Sequence, residues 1–224
     1  LNPQITKSYA NGDLDSMYKL VCRGAKFSFF SMLILSLPII LEANQILSIW
    51  LTKVPEHTVI FVQLSMIMGM CDCIGTTGYT ACMATGKLKR YSLTLTPLIV
   101  LEFPLSWLLF YYGASVESSY YLYILIKLLV LFVRMYLMQR MIGLNCLMYI
   151  KGVFFPIVLT TLFSIILPIL IIIFMDEDIL RFFILLIVSA ISVIVSVLFL
   201  GMTRIERNLI IQKSSNLFSK IIKR

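Results

Sequence analysis

Charge is what this sequence has least of. Of 224 residues, 13% are Asp, Glu, Lys or Arg and 60% are hydrophobic, against about 25% charged in an ordinary globular chain. Such a chain cannot cover a soluble core with polar surface, so a water-soluble domain is excluded. Histidine is almost missing too. The only one, His57, follows Glu56 near the end of an apolar run and reads as a solvated interfacial residue. Without GxSxG, HExxH or a phosphate-binding glycine loop, no common hydrolase or nucleotide chemistry is signalled. Connectors are too short for the loops of a glycan polymerase or acyltransferase, so an enzyme is the remote reading. The five cysteines lie in or beside apolar runs, and no disulfide framework is implied. Cys71 and Cys73 are two residues apart, about 200° on a helix, which suits small apolar filler rather than a shared metal. No cofactor is expected.

What is present is long apolar sequence. A hydrocarbon core of about 30 Å needs about 20 helical residues, and six runs meet that length, near 25–44, 58–84, 92–113, 119–140, 153–175 and 180–202. The fold class expected is therefore an all-α integral membrane protein with six transmembrane helices. Residues 1–24 form a cytoplasmic amphipathic leading segment, 25–140 four spans, 141–202 two additional spans and 203–224 a basic cytoplasmic tail. The opening "LNPQITKSYANGDLDSMYKL" is polar, without initiator Met or signal peptide, so the chain is expected to lack a preceding N-terminal part.

Lysine and arginine set the orientation. Lys7, Lys19, Arg23 and Lys26 precede the first run, Lys87, Lys89 and Arg90 follow the second, Arg140 and Lys151 follow the fourth, and six more lie between Arg204 and Arg224; the opposite connectors hold Lys53 and Arg181. Cytoplasmic loops carry such an excess, so both termini are expected inside. The net charge of +8 then reflects topology and anionic headgroups, and no nucleic-acid partner is expected. Trp50, Trp107, Tyr111, Tyr112, Tyr120 and Tyr121 collect towards the outer side and Tyr91 and Tyr149 towards the inner, as interfacial aromatics do. The tail "RIERNLIIQKSSNLFSKIIKR" reads either as an interfacial amphipathic helix or as a solvated basic end.

Four ionisable residues fall well inside the runs: Asp72, Glu102, Lys127 and Arg134. At roughly 2.5–3.5 kcal/mol each at a helix centre, they rarely face lipid. Glu102 and Lys127 lie at similar depth on consecutive antiparallel runs, so they are expected to pair. Pro104, two residues after Glu102, frees the carbonyl of Val100 and predicts a kink. At 100° per residue, Tyr120, Tyr123, Lys127 and Arg134 fall within about 60°, and so do Ser65, Asp72, Thr76 and Tyr79. Two polar stripes of this kind point to a shared watery interior; the alternative is a structural ion pair plus a satisfied core aspartate. The small residues of "GMCDCIGTTGYTACMATG" suit close helix packing or a hinge. The last two runs carry hydroxyls and prolines only and fit either packing helices or a greasy wall for an acyl or prenyl chain.

Several stretches, "NPQITKSYANGDLDSMYKLVCRGAKFSFF" (2–30), "ILSIWLTKVPEHTVIFVQL" (46–64), "ATGKLKRY" (84–91) and "GMTRIERNLI" (201–210), resemble in order and spacing the C-terminal half of Wzx-type polysaccharide flippases of the MOP superfamily. That resemblance implies the last six helices of a fourteen-helix, two-lobed transporter of the bacterial inner membrane. It implies as partners an undecaprenyl-diphosphate-linked oligosaccharide, membrane lipids and an N-terminal lobe of the same chain, with Pro3, Gly12 and Asp13 in the inner connector that leads into the C-terminal lobe and the final pair of helices cradling the lipid tail. Because the family does not place its cavity residues by motif, the stripes supply them. Lys127 and Arg134 are the candidates for phosphate, Tyr120, Tyr123 and Tyr79 for sugar stacking, and Glu102 and Asp72 for charge balance or an H+ or Na+ relay. A cation-coupled MATE-type drug antiporter is the nearest rival.

Overall fold

A computed structural model of the protein describes residues 2–204 and 206–208. Among them every regular element is helical, and six helical spans are long and apolar enough to cross a membrane, at Leu14–Leu41, Thr58–Ala84, Leu88–Tyr111, Ser118–Ile142, Cys146–Phe174 and Ile179–Gly201. The protein is thus an all-α multi-pass membrane protein by length and composition. The tail expected over 203–224 lies, from residue 209 onward, outside the described residues.

The first span is longer than its apolar run. Helix α1 (Asn2–Ala10) ends in a turn where Gly12 takes φ +74°, and α2 (Leu14–Leu41) starts at once, its N-cap Asp13 accepting the Ser16 N–H at 3.1 Å. That hydrogen bond holds the Asp13 carboxyl below its usual pKa. The helix starts at Leu14, well before the apolar run that opens near residue 25, because the Asp13 cap satisfies an N–H of its first turn. Pro38 lacks the N–H that would continue the ladder, and the helix breaks at Glu42 before α3 (Ala43–Trp50). The second span is α4 (Thr58–Ala84). The third is cut at Leu101 into α5 (Leu88–Val100) and α6 (Glu102–Tyr111), the break that Pro104 predicts. The fourth is α7 (Ser118–Ile142), closed by Gly143. In the fifth, α8 (Cys146–Tyr149) passes through a wide π turn (Ile150–Phe154) into α9 (Phe155–Phe174), and the sixth, α10 (Ile179–Ser196), ends in a π turn (Val197–Gly201).

Packing order follows burial. In α2, 44% of the most apolar window is buried, against 6% in Leu88–Tyr111, so α2 is the central helix and the α5–α6 span a peripheral one. On one side α2 packs against α4, on the other against α9 and α10, while α7 joins α4 to α5–α6. The seam between α4 and α7 is close because α4 presents Gly75 and Gly78. Met138 occupies the place where a Cβ on Gly78 would stand, and Arg134 does the same at Gly75. The small residues of this helix therefore serve packing. Polar side chains tie the spans further: Thr77 donates to the Val21 carbonyl at 2.9 Å, Gln63 to Ile40 at 2.9 Å, Tyr149 to Ile74 at 2.8 Å and Ser192 to Ser164 at 2.9 Å. Each such bond is worth about 1 kcal/mol in a bilayer.

Two buried charge clusters fasten α2 to the chain's last span. At the C-terminal end of α2 Arg181, in the first turn of α10, binds Glu42 through Nε at 3.0 Å and through a terminal nitrogen at 3.4 Å, and donates to the Met175 carbonyl at 3.2 Å; both charged residues are about 5% exposed. Arg181, read from sequence as a connector charge, is in fact interior. Towards the N-terminal end of α2 Glu206 takes the Lys26 ammonium at 2.9 Å and Arg23 Nε at 3.2 Å, while Lys26 also donates to the Gly201 carbonyl at 3.4 Å. Thr203 and Glu206 cap each other's backbone N–H reciprocally, a capping box.

Removing one member of a buried pair leaves an uncompensated charge, at about 3–5 kcal/mol, whereas apolar replacement of both is near neutral. Glu42→Ala is expected to lower the melting temperature of the protein in detergent sharply, and Glu42→Leu combined with Arg181→Met to recover most of the loss. The Glu206 cluster predicts an acid dependence. Burial pushes the Glu206 carboxyl up, but the Thr203 N–H and Lys26 outweigh it and hold it below its usual pKa. A depressed carboxylate contributes stability above its unfolded pKa that is lost as pH falls below about 4. Wild type is therefore expected to lose more thermal stability between pH 7 and pH 3 than Glu206→Gln.

Candidate functional site

The two polar stripes meet along the α4–α7 seam. At one end of the seam His57, in a left-handed backbone conformation at φ +63°, contacts Glu117 through Nδ1 at 2.5 Å, and Phe61 stacks on Tyr120 with ring centroids 4.9 Å apart. Next inward is a cleft of about 350 Å³ lined by Ser65, Met68, Glu102, Ser119, Tyr120 and Tyr123. Below it the Lys127 ammonium donates to Asp72 Oδ1 at 2.7 Å and lies 4.8 Å over the Tyr123 ring.

This pairing corrects the expected one. Lys127 bonds Asp72, not Glu102, because the glycines of α4 bring it against α7 closely enough for a lysine on one stripe to reach an aspartate on the other. Glu102 forms no ion pair among the described residues. Two features accommodate its carboxylate instead. The break at Leu101 makes it the first residue of α6, where a helix N-terminus favours negative charge, and Lys127 is close enough to act on it electrostatically.

Arg134 lies two turns deeper than Lys127, about 10 Å along the axis. Its guanidinium fills the hollow over Gly75 and meets no carboxylate among the described residues. Tyr91, from the α5 side, brings its hydroxyl close to the guanidinium but outside hydrogen-bond geometry, so the Tyr91 oxygen and Arg134 Nε are both buried without partners. Tyr79 packs on Tyr91 with ring centroids 5.4 Å apart. Tyr120, Tyr123, Lys127, Asp72 and Glu102 thus gather in one half of the site, and Arg134, Tyr79 and Tyr91 in the other. Tyr91 was legible only as an interfacial aromatic, since its spacing from Arg134 in sequence carries no signal of contact.

One face of this seam is open. Ser65, Asp72, Thr76 and Tyr79 are all exposed, and the Asp72 side chain keeps 49% of its surface accessible against 16% for Lys127. A half-exposed carboxylate at mid-span cannot face acyl chains, so water or further polypeptide covers this side.

The charged residues that the sequence reading did not count as interior, Lys26, Glu42, Arg181 and Glu206, belong to the two fastenings of α2. They stand at the ends of apolar runs, where sequence cannot separate a solvated charge from a buried pair; only the Thr203-x-x-Glu206 pattern was a readable local signal.

No family model, no curated protein and no solved structure matches the chain. The seam is therefore characterised by its own chemistry.

The half-exposed Lys127–Asp72 pair is expected to couple by about 1 kcal/mol in a double-mutant cycle, read from unfolding in detergent with Lys127→Met and Asp72→Asn. Filling the hollow at Gly75 tests the packing: Gly75→Leu should expel the Arg134 side chain and destabilise the protein by about 1–3 kcal/mol, whereas Gly75→Leu combined with Arg134→Ala should recover part of that loss.

Proposed function

We propose that the chain forms part of a membrane transporter of the flippase kind, which moves polyprenyl-diphosphate-linked oligosaccharide units across the bacterial inner membrane for surface polysaccharide synthesis. One observation carries the reading: a cation without an acidic partner among the described residues, Arg134, lies in line with a second, Lys127, on a seam whose open face is polar at mid-membrane depth. An anionic group entering a low-dielectric site is held strongly by such cations, and the sequence resemblance to Wzx-type translocases points to the same cargo. The spacing of about 10 Å between the two cations suits successive contacts along a path rather than one simultaneous grip. Lys127 reaches a diphosphate by exchanging Asp72 for it, and Arg134 needs no such exchange. Tyr120, Tyr123 and Tyr79 offer rings for sugars, and the apolar groove of about 470 Å³ between α9 and α10, lined by Phe163, Leu167, Ile191 and Phe199 among others, offers a wall for a polyprenyl chain.

A second reading, a cation-coupled drug antiporter, is favoured by Glu102, a mid-span acid with no ion pair among the described residues. Binding of a cationic dye by the full protein, with none of a polyprenyl diphosphate, would decide for it.

Lys127→Ala and Arg134→Ala are each expected to weaken binding of undecaprenyl diphosphate by roughly 10- to 100-fold, the value of a charge-assisted contact, and to abolish glycan export in cells with unchanged protein level in the membrane. Normal export by both variants would remove the seam from the transport path.

A further inference from the structure

A second cationic site stands apart from the seam. Between α1 and the first turns of α2 lies a cleft of about 400 Å³, lined by Gln4, Lys7, Ser8, Ser16, Lys19, Leu20 and Arg23. Leu20 is its only apolar residue. Three cations, two hydroxyls and an amide converge there, with no aromatic ring or apolar wall to receive a base or a peptide side chain.

The cleft is held in shape. Ile5 and Tyr9 anchor α1 in the core beside α2 and α4, and the turn at Gly12 with the Asp13 cap fixes the angle between the helices. Lys7 and Lys19 are exposed and form no ion pair among the described residues, while Arg23 gives only its Nε to Glu206, so its terminal nitrogens remain for a ligand.

Depth identifies the ligand. Helix α2 has 28 residues, about 42 Å at 1.5 Å per residue, roughly 12 Å more than the hydrocarbon core. That surplus is two turns at its basic end, which places Ser16 to Arg23 at the level of the lipid phosphates on the side where the chain's cations collect. We infer that the α1–α2 cleft is a binding site for the phosphate of an anionic phospholipid headgroup, gripped by Lys7, Lys19 and Arg23. Free phosphate shares the chemistry, but a soluble anion gains nothing from a site sunk to headgroup depth, whereas a lipid anchored beside it is held at high local concentration. Because Arg23 also holds Glu206, an occupied cleft would sit directly against the fastening of the sixth span to the first.

The full-length chain in neutral detergent, titrated with phosphatidylglycerol and read by its melting temperature, tests this. Saturable stabilisation is expected, absent with phosphatidylcholine. Lys7→Gln/Lys19→Gln should weaken it roughly 30-fold, at about fivefold per lysine near the surface, with unchanged melting in phosphatidylcholine. Lys87→Gln/Lys89→Gln, an equal charge loss at another basic connector, should leave it intact. If the cleft double variant does not fold, the single variants carry the test at about fivefold each. Equal phosphatidylglycerol response in wild type and cleft variants, or equal loss in the Lys87/Lys89 control, would overturn the site; full competition by millimolar inorganic phosphate would overturn the lipid as its source.

Discussion

A charge inside hydrocarbon must find an opposite charge, a hydrogen-bonding shell or water, and this constraint organises the bundle more than apolar packing does. Between lipid-exposed helices the hydrophobic effect selects no particular neighbour, since acyl chains are as apolar as leucine. Ion pairs and polar contacts do select. Glu42 with Arg181 and Glu206 with Lys26 fasten the first and sixth spans at opposite ends of α2, and Asp72 with Lys127 joins the second and fourth. Arrayed this way, α2 becomes the spine, with α9 and α10 on one side and α4, α7 and the third span on the other.

The same rule separates two kinds of charge within the bundle. The two fastenings of α2 are almost fully buried and multiply hydrogen-bonded, so their charges are satisfied within the protein. Along the α4–α7 seam satisfaction is incomplete: Asp72 is half exposed, Glu102 relies on a helix end and a neighbouring lysine, and Arg134 and Tyr91 leave buried polar atoms unmatched. Incomplete satisfaction at mid-membrane is costly, and it is tolerable where water, a ligand or another helix supplies the rest. That contrast is the basis of the proposal that the seam carries transport. At the basic end of α2 its surplus length lifts a cationic cleft to headgroup level, where the proposed lipid phosphate would meet it.

Much of the architecture was legible in the residues. Six spans, the break before Pro104 and the close packing of the glycine-rich second span all follow from hydropathy length, proline's missing N–H and glycine's missing Cβ, which act within one helix. The polar stripes were legible for the same reason, because 100° per residue is a local rule. The partner of Lys127 was not. Equal depth on consecutive helices made Glu102 the natural choice, but depth leaves rotation undetermined, and the glycines of α4 set the rotation that presents Asp72 instead. Arg181 and Glu42 were hidden in the same way, since a charge at the edge of an apolar run reads as a loop charge until a neighbouring helix covers it.

By itself, then, the sequence determined how many spans there are, where each bends, which faces are polar and which end is basic, all consequences of composition and period along a single chain. Only the tertiary structure decided which charges meet, that α2 is the spine, and that Arg134 stands over Gly75 with no acid beside it among the described residues. The reason is physical: in a bilayer the choice of neighbour rests on a few ångströms of approach between helices, and those distances depend on residues far apart in sequence.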